Sequence, residues 1–251
     1  NIFTNKLIKG FIGSSNIDTN SRLCMASAVV GYKRAFGSDT VPCSYEDLEL
    51  ANLIVIVGSN TAWAHPIVYQ RIAAAKRERP NMKVVVVDPR RTSTCDIADL
   101  HLPLKPGTDA TLFNGLLSYL NKSDAFDSDY VNQNTQGCNQ AVEVANKLQG
   151  SVATVAEQCE LTEVDVKQFF EWSVENKKMV TLYSQGVNQS SSGVDKSNAI
   201  INCHLATGRI GKEGMGPFSI TGQPNAMGGR EVGGLANQLA AHMDFNKAES
   251  I

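Results

Sequence analysis

Ala51-Asn52-Leu53-Ile54-Val55-Ile56-Val57-Gly58-Ser59-Asn60 is the stretch on which the fold turns. Residues 53–57 are apolar without a break, and the run stops at Gly-Ser-Asn. A strand with one wet face alternates apolar and polar residues. An unbroken apolar run belongs to a strand covered on both faces, as in parallel sheets. Lys83-Val84-Val85-Val86-Val87-Asp88-Pro89 repeats the pattern. Between the two, Pro66 to Arg79 carries apolar residues at Ile67, Ile72 and Ala75, turns basic, and is stopped by Pro80, which marks a helix. Residues 51–89 therefore read as a βαβ unit.

Working outward, residues 98–104 are extended and lead into Pro106-Gly107-Thr108-Asp109. Thr108 or Asp109 can cap the next helix, whose apolar stripe is Leu112, Leu116, Leu117 and Leu120. Residues 121–150 are polar and read as surface helices and loops. Thr162 fits an N-cap for a helix over 164–172, with Asp165 at its third position. Residues 179–183 form a later strand, followed by a helix from Asp195 to Ile210 that closes at Gly211. Beyond Gly214 the chain is glycine-rich and shows no regular pattern. The expected fold is α/β: a doubly wound, mostly parallel sheet of Rossmann-like, dinucleotide-binding type, with irregular Gly-rich flanks.

Composition bounds the function. With 251 residues the chain can bury a real core, and 42% hydrophobic with 19% charged content is that of a globular protein. A net charge of -2 gives no reason to expect nucleic acid or an acidic membrane surface as partner. No apolar run approaches the ~20 residues that cross a bilayer. The opening residues 1–9 lack the apolar core of a signal peptide, and the missing initiator methionine marks an expected fragment. Cys24, Cys43, Cys95, Cys138, Cys159 and Cys203 contain no C-x-x-C pair, which argues against a zinc ribbon or an iron–sulfur cluster held within this chain. A chain this long with a normal core needs no disulfide framework, so a reducing compartment is expected.

In an open parallel sheet, ligands sit beyond the carboxyl ends of the strands. Gly58-Ser59-Asn60 and Asp88 close the first two strands and so share that edge. Gly58 lets backbone approach a phosphate, and the helix after it presents amides to an anion. The same three residues also fit a tight turn with a helix cap. They are not a G-x-G-x-x-G fingerprint, which counts against a nicotinamide or flavin dinucleotide. Asp88 is placed to accept from a ribose diol. Cys24, in Asn20-Ser21-Arg22-Leu23-Cys24-Met25-Ala26-Ser27-Ala28-Val29, reads by itself as a packed thiol, a soft metal ligand or a nucleophile near Arg22. Residues 221–234 set Gln223, Asn225, Arg230 and Glu231 among glycines, and long irregular segments of this kind more often carry function than link elements. His65 beside Pro66 fits a helix start, with a catalytic acid as the alternative. His101, His204 and His242 have no clustered partners and read as structural.

Five segments stand in order: the Cys24 stretch, Val57-Gly58-Ser59-Asn60, Asp88-Pro89-Arg90-Arg91-Thr92, Pro106-Gly107-Thr108-Asp109, and Thr221-Gly222-Gln223-Pro224-Asn225-Ala226-Met227-Gly228-Gly229-Arg230. Together they resemble the molybdopterin oxidoreductase family, in particular the catalytic subunits of bacterial nitrate reductases of assimilatory and periplasmic type. The resemblance runs from Gly10 to His242 and is weakest between Asn121 and Lys178. It implies molybdenum held by a bis-molybdopterin guanine dinucleotide, with a [4Fe-4S] cluster in the parent protein but outside this chain. Gly58, Ser59, Asn60, Asp88, Pro89, Arg90, Gly107, Thr108 and Asp109 match segments that bind the guanosine diphosphate end. Asp109 would accept from the guanine amino and imino groups and Asp88 would hold the ribose, while one of Arg90 and Arg91 is a plain solvated charge. Gly186, Asn188 and Gln189 match a pterin-contacting loop, and Asn20, Arg22 and Gln223 are further cofactor contacts.

By the same resemblance Cys24 is the thiolate ligand of molybdenum and Met25 borders the substrate. Arg230 orients nitrate, a small planar anion suited to a guanidinium fork. Periplasmic members place an arginine one position later, where this chain has Glu231. The implied reaction is two-electron oxygen-atom transfer from nitrate to give nitrite, with electrons from a ferredoxin, flavoprotein or cytochrome subunit. The implied setting is cytoplasmic, with periplasmic as the alternative, and no nucleic acid or membrane partner. The expected division is a metal-ligand segment over 1–50, a cofactor-binding domain over 51–214 and a substrate loop over 215–251. Without the family's four-cysteine segment and C-terminal domain, the isolated chain is expected to be inactive and cofactor-free. A formate dehydrogenase of the same family would carry histidine after the ligand, where this chain has Met25. A non-catalytic nucleotide-binding domain is the rival from another class.

Overall fold

The computed structural model describes residues 2–19, 21–222, 226–235, 239–241 and 243, with backbone alone at Ser21, Met227 and Arg230. The chain divides into two units, Ser27–Ile220 and a second formed by Asn1–Ala26 with Thr221–Ile251.

The second unit holds α1 (Ile2–Asn5), a wide π-type turn over Lys6–Ile12, α2 (Ser21–Cys24) and, from the other end of the chain, α14 (Ala226–Glu231). Asn5 Nδ2 donates to Val232 O at 3.0 Å, and Lys9 Nζ reaches Gly233 O at 2.6 Å, so side chains of the first segment satisfy backbone carbonyls of the last.

The larger unit contains α3 (Ala26–Phe36, whose first residue falls in the other unit), α4 (Tyr45–Leu50), β1 (Leu53–Val57), α5 (Thr61–Ala64), α6 (Pro66–Glu78), β2 (Lys83–Val87) and β3 (Leu100–Leu102). It continues with α7 (Asp109–Lys122), α8 (Ser128–Asn134), α9 (Cys138–Leu148), α10 (Val152–Cys159), α11 (Glu163–Glu175), β4 (Met179–Tyr183), α12 (Gln185–Asn188), α13 (Gly193–Ala206) and β5 (Gly216–Ser219). The five strands pair in parallel in the order β3-β2-β1-β4-β5. Central β1 is in register with both neighbours, Val57 lying opposite Val87 and Tyr183. This is the doubly wound sheet expected from the apolar runs.

All five residues of β1 and of β4 are buried, because helices cover both faces of the sheet. On one face Ile54, Ile56, Val84, Val86, Val180 and Leu182 pack with Leu48 of α4 and with Val68 and Ile72 of α6. Each such side chain taken from water contributes about 1.5–3 kcal/mol. Toward the other face, His204 of α13 meets Thr181 at 2.8 Å and Ser197 meets Tyr183 at 3.0 Å. The Thr162 cap is as expected, its hydroxyl accepting from Asp165 N at 3.1 Å.

Four local expectations are corrected. A separate turn of helix, α5, stands between Asn60 and α6, so no long helix starts at the Gly58 loop. Thr108 occupies the N-cap position of α7, but its hydroxyl donates to Lys105 O at 2.7 Å instead of capping. Helix α13 ends at Ala206 and not Ile210, because Gly208 at φ +61° closes it: Gly208 N donates to Leu205 O and Arg209 N to His204 O. Strand β5 lies where no pattern was expected; it adds to the sheet edge, where Pro217 can stand without interrupting the interior ladder.

Candidate functional site

Strands β1 and β4 are neighbours, yet the chain leaves β1 toward β2 on one side and leaves β4 toward β5 on the other. Their carboxyl ends therefore flank the topological switch point, where open α/β sheets form a crevice. Gly58 follows β1 at φ +55°, and Gly186 follows β4 with its N–H donating to Gly58 O at 2.9 Å. A Cβ on Gly58 would stand 2.7 Å from Gly186 Cα, and one on Gly186 would stand 2.6 Å from Gly58 Cα. Neither position accepts a side chain, so this end of the sheet is bare backbone.

The residues around it are largely engaged. Ser59 is buried with its Oγ 2.9 Å from Thr61 Oγ1, and Asn60 Oδ1 accepts from Thr94 Oγ1 at 3.1 Å. Asp88 is buried; its Oδ1 accepts from Arg90 N at 2.9 Å, and its carbonyl lies 2.9 Å from His101 Nε2. Pro89, Arg90 and Arg91 are exposed, which leaves both guanidinium groups toward solvent. Gly107 turns at φ +97° just before α7. Asp109 opens that helix and is buried, its Oδ2 in an ion pair with Lys196 Nζ of α13 at 2.6 Å. Removing one partner of such a pair costs about 3–5 kcal/mol, since the other charge is left buried alone.

Three polar groups at this edge are buried with no partner among the described residues: the Thr92 hydroxyl after β2, both amide atoms of Asn188 after β4, and the Ser219 hydroxyl closing β5. Asn188 is only 4% exposed. An unsatisfied buried group costs about 1–3 kcal/mol, so such a cluster needs a reason. Thr92 and Lys196 were not among the residues singled out. Thr92 lies inside the quoted Asp88–Thr92 segment and was within reach, whereas nothing local marks Lys196. Gly186 and Gln189 lie at the surface of the same loop.

Of the second unit, Cys24 closes α2 half-buried and Met25 is buried. Arg22 Nε pairs with Asp18 Oδ2 at 2.8 Å, so that cation is answered locally. Arg230 lies in α14, and Asn20 and Gln223 lie outside the described residues. Among the described residues no three His, Cys, Asp or Glu side chains gather as a metal-ligand set. Burial pushes the Cys203 thiol up to about 12 and raises Cys43 and Cys159 above the usual range, so these three are packed thiols. No helix among the described residues is long and apolar enough to cross a membrane.

Fold and edge together define a doubly wound α/β domain with two closely packed glycines at its switch point. A family model described as molybdopterin oxidoreductase matches residues 1–250, and the chain belongs to that family. It is 58% identical over 241 residues to a nitrate reductase of Klebsiella oxytoca, covering 96% of this chain and 27% of that protein. With a nitrate reductase of Shewanella frigidimarina it shares 53% identity over 245 residues, covering 98% of this chain and 26% of the other. The chain thus spans about a quarter of the length of these curated relatives. Acetylene hydratase from Pelobacter acetylenicus matches with a TM-score of 0.66 and 22% identity over 82% of this chain and 27% of that one, a likeness of fold.

Proposed function

We propose that this chain is the cofactor-binding part of a molybdenum nitrate reductase that uses a bis-molybdopterin guanine dinucleotide. The observation that carries the reading is the Asn188 amide, buried and without a partner among the described residues, two positions after Gly186. A bound polar group with donors and acceptors, seated at the switch point beside these packed loops, would satisfy it. Asp88 would hold a ribose, Asp109 a guanine, and Arg90 the diphosphate charge. Thr92, Asn188 and Ser219 would satisfy cofactor polar atoms.

Cys24 would supply the single protein ligand, a soft thiolate suited to a sulfur-rich metal. As the family resemblance implies, the remaining ligands would be the dithiolene sulfurs of the cofactor. When bound, that group supplies the two-electron oxygen-atom transfer that converts nitrate to nitrite. Met25 would border the substrate space. Arg230 would attract and orient the anion, a task for a planar cationic fork. An electron-donating partner of the parent polypeptide completes the scheme. The relatives' nitrate reductase names support this substrate over formate.

The test compares the parent polypeptide with its Cys24→Ala variant for bound molybdenum and viologen-driven nitrate reduction. Nitrite formation by the wild type, lost in the variant, is the expected result. Bound molybdenum without nitrate turnover would overturn the substrate. Absence of molybdenum from the wild type would overturn the enzyme reading and leave a nucleotide-binding domain.

A further inference from the structure

The Asp109–Lys196 pair joins two elements that meet side by side, α7 and α13. Both side chains are almost fully covered, at 8% and 4% exposed. A buried ion pair is a poor device for holding two helices together, because apolar residues of similar volume commonly do as well or better. Its presence at the sheet's carboxyl edge asks for a use of the charge. Asp109 is also the first residue of a 14-residue helix, where the positive end of the helix dipole favours an anion. The Lys196 ammonium and the helix end therefore both draw the charge of this carboxylate to one place.

We propose that Lys196 is the positioning residue that makes Asp109 a guanine-selective acceptor. This rests on the cofactor reading above and extends it to base selection. An ionised carboxylate only accepts, and its two oxygens offer about four lone-pair sites. Lys196 Nζ occupies part of Oδ2, and no described residue donates a hydrogen bond to Oδ1. What remains is a fixed pair of acceptor sites. On its pairing edge guanine sets an imino N–H beside an amino N–H, two donors matched to two acceptors. Adenine and cytosine place a ring-nitrogen acceptor beside their amino group, and an ionised carboxylate repels it. Were the Asp109 carboxylate free to rotate, its two acceptors would no longer be held against the two donors and the discrimination would weaken. Lys196 touches neither base nor reacting atoms; it acts through Asp109.

The experiment measures nucleotide released by acid hydrolysis from the parent polypeptide, per folded chain, for wild type, Lys196→Gln, Lys196→Met and Lys196→Arg. The Gln variant keeps a donor toward Oδ2 and protects the fold should the Met variant fail to assemble. We expect GMP per folded chain to fall at least fivefold in Lys196→Gln and Lys196→Met and to stay within twofold of wild type in Lys196→Arg. A residue of merely structural worth would lower the yield of folded chain and leave this ratio unchanged. Wild-type GMP content in folded Lys196→Gln overturns the proposal while leaving the cofactor reading intact. Absence of GMP from the wild type overturns the cofactor reading, and this inference with it.

Discussion

Gly58 sets the strictest demand of any residue near the crevice, because both its backbone angle and its surroundings exclude a side chain. Gly58→Ala should destabilise the chain by roughly 2–4 kcal/mol, combining left-handed strain with overpacking. Gly37 at φ +76° has open space around it and supplies the control. Equal urea midpoints for Gly58→Ala and Gly37→Ala would mean that the approach to Gly186 is not close. Asn188 makes the opposite prediction. Asn188→Leu removes a buried amide with no partner among the described residues, so the cofactor-free chain should gain about 1–2 kcal/mol by urea unfolding. The parent polypeptide should at the same time bind less molybdenum. A variant that is less stable in the cofactor-free chain would show that the amide is satisfied there after all. Gly58 and Asp88 were legible in sequence because each ends an apolar run. Lys196 was not, because its partner is far along the chain and the surrounding pattern of α13 names no charge as special.

At the scale of elements, α13 carries a built-in dependence on pH. His204 is buried against Thr181, and burial first, then the nearby Arg209 charge, holds its pKa well below the usual histidine value. The unfolded chain then binds a proton that the folded chain refuses, so stability falls as pH drops below the unfolded value of about 6.5. The slope approaches about 1.4 kcal/mol per pH unit for one proton. Urea unfolding of wild type and His204→Gln between pH 7 and 5 should show that the variant has lost this slope; identical slopes would remove His204 as its source. Elements were legible where local chemistry agrees with the fold. The unbroken runs of β1, β2 and β4 and the Thr162 cap declare themselves. Strand β5 does not, because Gly216-Pro217-Phe218-Ser219 has little strand propensity and is made a strand by pairing with β4. The end of α13 was misplaced because two glycines, Gly208 and Gly211, both adopt positive φ and only the first completes the capping bonds.

For the whole molecule, the physical question is which stretch carries a complete core. The span 51–214 holds three strong strands, yet it omits Leu48 and Tyr32, both fully buried, and Phe218 of β5. Without β5 the polar backbone of β4 would face water along one edge, an invitation to pair with another chain. Without α4, the helix-packed face around Ile54 and Ile72 loses a large side chain, which costs about 2–5 kcal/mol at a core site. The span 27–220 restores all three residues and keeps the sheet order intact. Expressed alone, residues 27–220 should therefore unfold in urea as one cooperative transition and remain monomeric. Residues 51–214 should either unfold at a much lower midpoint or associate through the bared edge of β4. Equal midpoints and equal masses by light scattering would show that α3, α4 and β5 add nothing to the core. A cooperative 27–220 would instead show that the sheet and its switch point form a scaffold that stands without the residues of the other unit.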